Sequence, residues 1–512
     1  MKNIVIVGGG TAGWLSALLL NASHPNKNIT VIESEDIGIL GAGEGTVSAF
    51  INVLDLLGIP VSDIVKYADG TIKNAIKFTN WNSTDEDDYY YHPFKVQQGL
   101  DYNSLNTGFF DHTCLTPLIG MYKNDNFKNN NFVDKVSEKY KIPLVNDINV
   151  NPLNDNPIFQ YKTLTAYAMH FNARKLAEFL KHVALERGIT RIEGIVDNIV
   201  SNDDGNITSL DLNNNTSVEC DFVFDCTGFK RLIIGNHFKS KWKSYSEYLP
   251  CDKAMPFFIE NNTDKIEPYT EAIAMKYGWM WKIPVNGRYG CGYVFDSKYT
   301  NLEQAKKEVE ERLNCKIEAN RTFDFNAGCF EEPWIKNCIA IGLSSGFTEP
   351  LEATSIWMST MSMLDIIAWF DRLENNDQRD RDFFNNIFVK RNQAIVNLLC
   401  FHYMGKRNDS EFWNSWKNKI LPKELEDLTQ RWKRTVPSNA DSGNPNLFTL
   451  DSWIAVAMGI KWIEPDVVKK LIEANNINNI SALGYNDVKK YQDSFIDSCI
   501  DHTEFLNILR SA

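Results

Sequence analysis

The sequence predicts an α/β fold in which a module built on a parallel sheet is interleaved with a second module of antiparallel sheet and helices. Three observations predict it. A glycine-rich turn joins a buried strand to an apolar helix at the start of the chain, parallel-sheet patterns return near 165–230 and 325–370, and an aromatic-rich alternation fills 251–300. Only a discontinuous division accommodates them: residues 1–60, 160–235 and 325–370 form the parallel-sheet module. Residues 61–159, 236–324 and 371–512 form the other, mainly helical towards its end.

The first element is Ile4 to Val7, a short β-branched run of the kind found in a strand buried on both faces. The turn after it reads Gly8-Gly9-Gly10-Thr11-Ala12-Gly13, a G-x-G-x-x-G spacing, and an apolar helical pattern follows through Leu20. Gly8 permits the tight turn, Gly10 lets the backbone approach a pyrophosphate, and Gly13 lets helix and strand pack closely. The free N–H groups of the helix start, from Thr11 and Ala12 on, then point at phosphate oxygens. The second strand, Asn28 to Ile32, ends in Glu33, placed to take the ribose hydroxyls. A Rossmann-like dinucleotide-binding module follows, with NAD, NADP and FAD all admissible.

The glycine-dense loop Gly38 to Thr46 sits where a loop would cross a bound cofactor, which makes Ala42, Gly43 and Glu44 candidate contacts. Residues 71–81 fit a strand or a helix, and either period puts Lys73 and Lys77 on one face. Tyr89 to Phe94 is an aromatic cluster broken by Pro93, and the asparagine-rich stretch 123–157 reads as exposed loop or insertion. Asn172 is a plausible cap for an amphipathic helix over 173–185, and a strand follows near Arg191 to Val200. Ser209–Leu212 and Ser217–Phe224 read as a hairpin feeding a buried strand that ends in Asp225-Cys226-Thr227-Gly228, where a second cofactor contact is expected. Another buried strand, Asn337 to Gly342, opens onto Ser344 to Ser355 and a long apolar helix to Phe370.

A formal net charge of −13 and a pI near 5.2 exclude nucleic acid and anionic membrane as main partners, since phosphate neutralisation needs a basic surface. The ten cysteines form no C-x-x-C pair and do not cluster with histidine, so neither a metal site nor a disulfide framework is predicted. Glycines interrupt the N-terminal apolar run, which argues against a signal peptide, and no other run approaches the roughly 20 apolar residues of a membrane span. A cytoplasmic protein with reduced thiols is expected, and a homo-oligomer is compatible with this composition.

Several ordered pieces together resemble the flavin-dependent tryptophan halogenases. They are the Gly8–Trp14 turn, the Gly41-Ala42-Gly43-Glu44 loop, Lys73-Asn74-Ala75-Ile76-Lys77-Phe78, Trp279-Met280-Trp281-Lys282-Ile283-Pro284 and Glu349-Pro350-Leu351-Glu352. The W-x-W-x-I-P stretch is the most specific. The resemblance implies an FAD-binding module of the GR2, p-hydroxybenzoate-hydroxylase-like form. It also implies a reduced flavin that reacts with oxygen to give a C4a-hydroperoxide, which a halide attacks. The resulting hypohalous acid passes through a tunnel to a lysine beside the substrate. Lys73 matches that lysine, as hydrogen-bond donor or haloamine, and Glu352 matches the glutamate that works with it. FADH2 then comes from a separate NAD(P)H-dependent flavin reductase. Trp279, Trp281, Ile283 and Pro284 lie near the flavin and shield it, and His92 and Phe94 fit the aromatic substrate walls.

The chemistry supports these residue types on its own. An ammonium in an enclosed site polarises the departing hydroxide of hypohalous acid, and a carboxylate stabilises the cationic ring intermediate and takes its proton. Burial favours a neutral lysine, whereas a carboxylate neighbour keeps it charged. The bland readings stand beside these: a solvated charge for Lys73 and for Lys77, a helix-start acid for Glu352, core packing for the tryptophans, a structural role for His92.

Two departures matter. Thr354 and Ser355 lie at a helix start whose N–H groups could hold a halide, but the family commonly has threonine-glycine there; Ser355 alters the pocket, and bromide or iodide is expected over chloride. Near the C-terminus, Leu450 to Ala455 replaces the paired tyrosines that grip free tryptophan, so an indole or another electron-rich arene stacking on Trp453 is the expected substrate. Two other readings stay open at this point: a single-component flavin hydroxylase of the same fold, and a non-catalytic flavin-binding module.

Overall fold

The computed structural model describes residues 1–38, 43–94, 132–146, 161–438, 441, 447–474 and 493–511. The chain folds as two compact units. The first comprises Met1–Asp69, Phe171–Glu247 and Asn326–Gln393, the second Gly70–His170, Tyr248–Phe325 and Ala394–Ala512. Relative to the division drawn from sequence, residues 61–69, 236–247 and 371–393 fall in the first unit and residues 161–170 in the second. The helix Val61–Tyr67, for example, stays with the first unit: its end is tied down by the Asn172 N–H donating to Ala68 O at 2.8 Å and by Lys175 pairing with Asp69 at 2.7 Å.

In the first unit a six-stranded sheet runs in the order Thr190–Glu193, Asn28–Glu33, Asn3–Val7, Phe222–Asp225, Cys338–Ala340, Trp334–Ile335. Its first five strands are parallel and the last is antiparallel. Val5 and Val7 enter a core shared with Ile32, Val223 and the meander residues Val196, Leu210 and Leu212, which leaves Ile4 and Ile6 for the opposite face. The helix Thr11–Ser23 is buried from Gly13 to Leu20, which is why its sequence is apolar all round rather than striped. It packs against the helices Ala173–Glu186 and Thr354–Ala368. Asn172 caps the former, its side chain accepting from the Lys175 N–H at 3.4 Å. The strand expected near 191–200 is two strands, Thr190–Glu193 and Val196–Ser201, broken at Gly194.

The second unit is built on a seven-stranded sheet in the order Phe323–Asp324, Lys253–Glu260, Arg288–Phe295, Gly278–Val285, Tyr269–Met275, Ala75–Thr79, Tyr89–Pro93. All neighbours are antiparallel except Tyr269–Met275 with Ala75–Thr79. One face carries a core of Met255, Phe257, Met280, Tyr289 and Tyr293 packed under Ala305 and Val309 of the helix Leu302–Leu313. Pro93 ends the outermost strand, where a missing N–H costs nothing.

Two expectations change here. Residues 71–81 form neither a helix nor one strand. The chain breaks at Asn74, whose N–H donates to Pro268 O at 2.7 Å, so Thr71–Lys73 pairs with Ala168–His170 while Ala75–Thr79 joins the large sheet. Lys73 and Lys77 therefore sit on different elements, because pairing partners distant in sequence, invisible to local periodicity, decide the path. The asparagine-rich stretch is likewise not all exposed loop. Phe132–Glu138 is a helix, and Phe132, Val133 and Val136 enter a core with Tyr91, Ile496 and Cys499. Residues 123–131 and 147–157 of that stretch lie outside the described residues. Among the described residues nine cysteines carry free thiols, and no helix is long and apolar enough to cross a membrane.

Candidate active site

The glycine turn in the first unit is shaped by close approach. Gly8 has φ of 120°, and a Cβ there would lie 2.2 Å from Cys226 O; a Cβ on Gly13 would lie 1.9 Å from Gly8 O. A Cβ on Gly10, by contrast, would meet nothing within 4 Å, so open space faces the turn where a pyrophosphate would approach. Gly10 is the N-cap of the Thr11–Ser23 helix and supplies no side chain to cover its first N–H groups. Glu33 lies directly beneath: a Cβ on Gly9 would stand 1.6 Å from its Oε2, and its Oε1 accepts from Arg191 Nε at 2.6 Å and pairs with Lys181 at 3.5 Å. Arg191 and Lys181 escape a sequence reading, since only the parallel pairing of Thr190–Glu193 beside Asn28–Glu33 brings Arg191 to that corner.

Ala42 lies outside the described residues. Next to it, Gly43 has φ of 98°, and burial pushes the Glu44 carboxyl up to about 7. Asp225, fully buried at the end of the central strand, accepts from the Thr227 N–H and hydroxyl at 3.0 and 2.7 Å and from the Ile233 and Ile234 N–H groups at 2.9 and 2.8 Å. Its two oxygens thus hold the following loop in shape. Within that loop Gly228 has φ of 64°, and Gly342, with φ of 74°, has its Cβ position 2.8 Å from Ala12 Cβ, against the start of the first helix. These features fit a dinucleotide lying along the carboxyl ends of the parallel strands.

Further along the first unit, Pro350–Glu352 forms a single 3-10 turn, and Ala353, at φ of 54°, reverses the chain into the helix Thr354–Ala368. A non-glycine residue in that region costs roughly 1 kcal/mol. Glu352 and Thr354 are both buried, at 3% and 2% exposure, and no side chain caps the helix start. Ser355 is partly buried, with its carbonyl accepting from the Ser359 hydroxyl at 2.9 Å.

In the second unit Lys73 is 0% exposed, at the end of the three-residue strand Thr71–Lys73, and its Nζ stands 5.1 Å from the centre of the Phe94 ring. The strand is tied to the W-x-W-x-I-P stretch, because Thr71 Oγ1 donates to Pro284 O at 2.7 Å. That stretch is the strand Gly278–Val285: Met280 faces the core, while Trp279, Trp281 and Ile283 share the other face, with the two indoles 6.1 Å apart. Trp281 lies over Gly292, whose Cβ position is 2.2 Å from its ring. Lys77 is elsewhere, over the Tyr89 ring at 4.1 Å and 3.6 Å from Glu138. His92 is buried, 6.4 Å from the His402 ring and 6.5 Å from Phe448. His402 itself stacks on Phe78 at 4.3 Å and bonds the Tyr90 hydroxyl through Nδ1 at 2.7 Å. Trp453 is 3% exposed and makes tilted contacts with Phe401 and Trp432, at 5.9 and 5.4 Å, in a cluster of three mutually touching rings.

The structure thus brings Lys73, Phe94, Thr71 and Pro284 into one neighbourhood of the second unit, and the glycine turn, Glu33, Asp225 and Gly342 into one of the first. A sequence profile described as tryptophan halogenase matches residues 3–476. The chain belongs to the tryptophan halogenase family. It is similar to the tryptophan 6-halogenase SttH of Streptomyces toxytricini, 30% identical over 85% of this chain and 84% of that protein. It is similar too to the tryptophan 7-halogenase RebH of Lentzea aerocolonigenes, 29% identical over 87% of this chain and 84% of that one. Among solved structures, a tryptophan halogenase from Shewanella frigidimarina superposes with a TM-score of 0.85 at 25% identity, covering 100% of this chain and 98% of that one. As a member of this family the halogenase is a flavin-dependent enzyme of aromatic substrates that uses FAD and halide, carried on a mixed α/β fold.

Proposed function

We propose that this chain is a two-component halogenase that takes FADH2 from a separate NAD(P)H-dependent flavin reductase and passes hypohalous acid to Lys73 for electrophilic halogenation of an indole-type or other electron-rich arene. Bound FADH2 would supply, with oxygen and halide, the hypohalous acid. The residues of the chain do the rest. Gly8, Gly10, Thr11, Ala12 and Gly13 hold the pyrophosphate, Glu33 the ribose, and Gly43, Glu44, Gly228 and Gly342 let backbone and cofactor approach closely; Asp225 acts through the loop it organises. The first N–H groups of the Thr354–Ala368 helix, at Thr354 and Ser355, hold the halide, with bromide or iodide, the more easily oxidised ions, preferred over chloride. Trp279, Trp281, Ile283 and Pro284 screen the arene from the flavin.

At Lys73 the ammonium donates to the hypohalous oxygen, or carries the halogen as a haloamine. In the first case the oxygen–halogen bond breaks as the carbon–halogen bond forms, and the hydroxide leaves as water with the Lys73 proton; in the second the neutral amine has already taken the halogen from hypohalous acid with release of water, and the nitrogen–halogen bond breaks. In either case the ring proton goes to Glu352. The observation that carries this reading is Lys73 itself: a completely buried lysine, 5.1 Å from an aromatic ring, on a strand bonded to Pro284. A lysine pays heavily for such burial unless the site uses or compensates its charge.

The test supplies the chain with a flavin reductase, NADH, oxygen and a panel of indole, L-tryptophan and phenols in chloride, bromide, iodide or no halide, and follows product mass. Halogenated arene that depends on reductase and halide, and that Lys73→Ala abolishes while retaining FAD, is the expected result. Oxygenated product without halide, or full activity of Lys73→Ala with free hypohalous acid scavenged, would overturn it.

A further inference from the structure

A three-residue strand is too short to hold a catalytic side chain by its own ladder, and the halogenase braces Lys73 from outside it. On one side Thr71–Lys73 pairs with Ala168–His170. On the other, the N–H groups on either side of Lys73 both reach the segment Ile266–Pro268. Asn74 N donates to Pro268 O at 2.7 Å directly, while Ile72 N donates to His502 Nε2 at 3.0 Å, and His502 Nδ1 lies 2.9 Å from Ile266 O. His502 stands at the first position of the helix His502–Ser511, and its ring fills the place of a missing strand.

The partners fix its proton. An amide N–H can only donate, so Nε2 accepts; a carbonyl can only accept, so Nδ1 carries the hydrogen. His502 is therefore one neutral tautomer, and its complete burial, which pushes its pKa down to about 4, keeps it so. A second neutral histidine works from the opposite side. Thr71 gives its hydroxyl hydrogen to Pro284 O, so it accepts from His170 Nδ1 at 3.0 Å, and His170 Nε2 accepts from the Thr270 hydroxyl at 2.9 Å. Burial and the nearby Lys73 charge both hold His170 uncharged.

We infer that His502 is a positioning residue for Lys73: by accepting the Ile72 N–H and donating to Ile266 O, it clamps the Lys73 strand from the C-terminal helix, opposite the His170–Thr71–Pro284 link. The inference rests on the reading of Lys73 given above. Displacing a reacting group by about 1 Å can cost about a hundredfold in rate, whereas binding of arene and flavin needs no such accuracy at Nζ.

The test uses the full chain with a reductase, bromide and indole, alongside hydrogen–deuterium exchange of the amides of residues 70–75. His502→Phe keeps a ring and removes both bonds; His502→Gln can supply an acceptor and a donor in their place. Expected for His502→Phe are a drop in brominated product of tenfold or more at unchanged KM for indole and unchanged flavin oxidation. Hypobromous acid trapped in solution rises correspondingly, and 70–75 exchange is faster. His502→Gln restores at least half of the product and the protection. Wild-type product per flavin oxidised in His502→Phe overturns the inference. So does a loss shared in full by His502→Gln, or unfolding of both variants, either of which assigns His502 to stability alone. Lys73→Ala in parallel separates the two ideas: if it still brominates indole the Lys73 reading fails, and if it is dead while His502→Phe is fully active only the clamp fails.

Discussion

Replacing Asp225 by alanine removes the acceptor that four donors share, and the structure sets the size of the effect. Thr227 is partly exposed, so water can take over its N–H and hydroxyl. Ile233 and Ile234 are completely buried, and their N–H groups, 2.9 and 2.8 Å from Oδ2, would have no substitute. Stranding a buried donor costs about 1–3 kcal/mol, so two put the loss near 2–6 kcal/mol, partly offset where the loop relaxes. Asp225→Asn keeps one acceptor oxygen and should fall between. Equilibrium urea unfolding followed by tryptophan fluorescence measures the loss, and FAD titration of the folded variant measures its consequence, since the same loop carries Gly228. A loss below about 1 kcal/mol for Asp225→Ala would refute the reasoning that these amides depend on a single carboxylate.

Other predictions follow from single geometries. Gly13→Ala places a Cβ 1.9 Å from backbone oxygen, so FAD binding, followed by quenching of flavin fluorescence, should fall at least tenfold; unchanged affinity would show that the turn does not hold the cofactor. Burial raises the Glu44 carboxyl from 4.5 to about 7, so the folded state favours the protonated acid. Its contribution is whole below about pH 4.5 and is lost as pH rises through about 7, a fall of roughly 3 kcal/mol. Urea midpoints at pH 5 and 8 should therefore differ less in Glu44→Gln than in wild type, and an identical difference in both proteins counts against it. Lys77→Met loses a cation over Tyr89 and a 3.6 Å pair with Glu138. Because that lysine is partly exposed, about 1 kcal/mol of stability is at stake and halogenation should persist; abolished activity would reverse the roles assigned to Lys77 and Lys73.

Much of the first unit is legible because its signals are local. A β-branched run, three spaced glycines and an apolar helix sit within twenty consecutive residues; Gly8 and Gly13 are explained by close contacts with the adjoining strand and with Gly8 itself, and Gly10 by the open space it faces. The Asn172 cap and the hairpin before Asp225 are legible for the same reason. The second unit is harder to read. Lys73 can be singled out by its place in a motif, but its strand exists only through pairing with Ala168–His170 and bonds to Pro268, Pro284 and His502. The stretch around Phe132 looks polar and loop-like until its three apolar residues are seen to meet Tyr91 and Cys499.

The sequence by itself determined the class of fold and the glycine turn, since glycine spacing and strand pattern act over a few residues, while Lys73 and Glu352 are singled out by a family resemblance. Only the tertiary structure decided that Lys73 is completely buried and separated from Lys77, that Asp225 serves a loop, that Trp453 joins a buried cluster with Phe401 and Trp432, and that His502 completes the Lys73 strand. The Asp225 bonds join residues two to nine positions apart and the others join segments far apart in the chain; no local pattern records which buried N–H will find which acceptor.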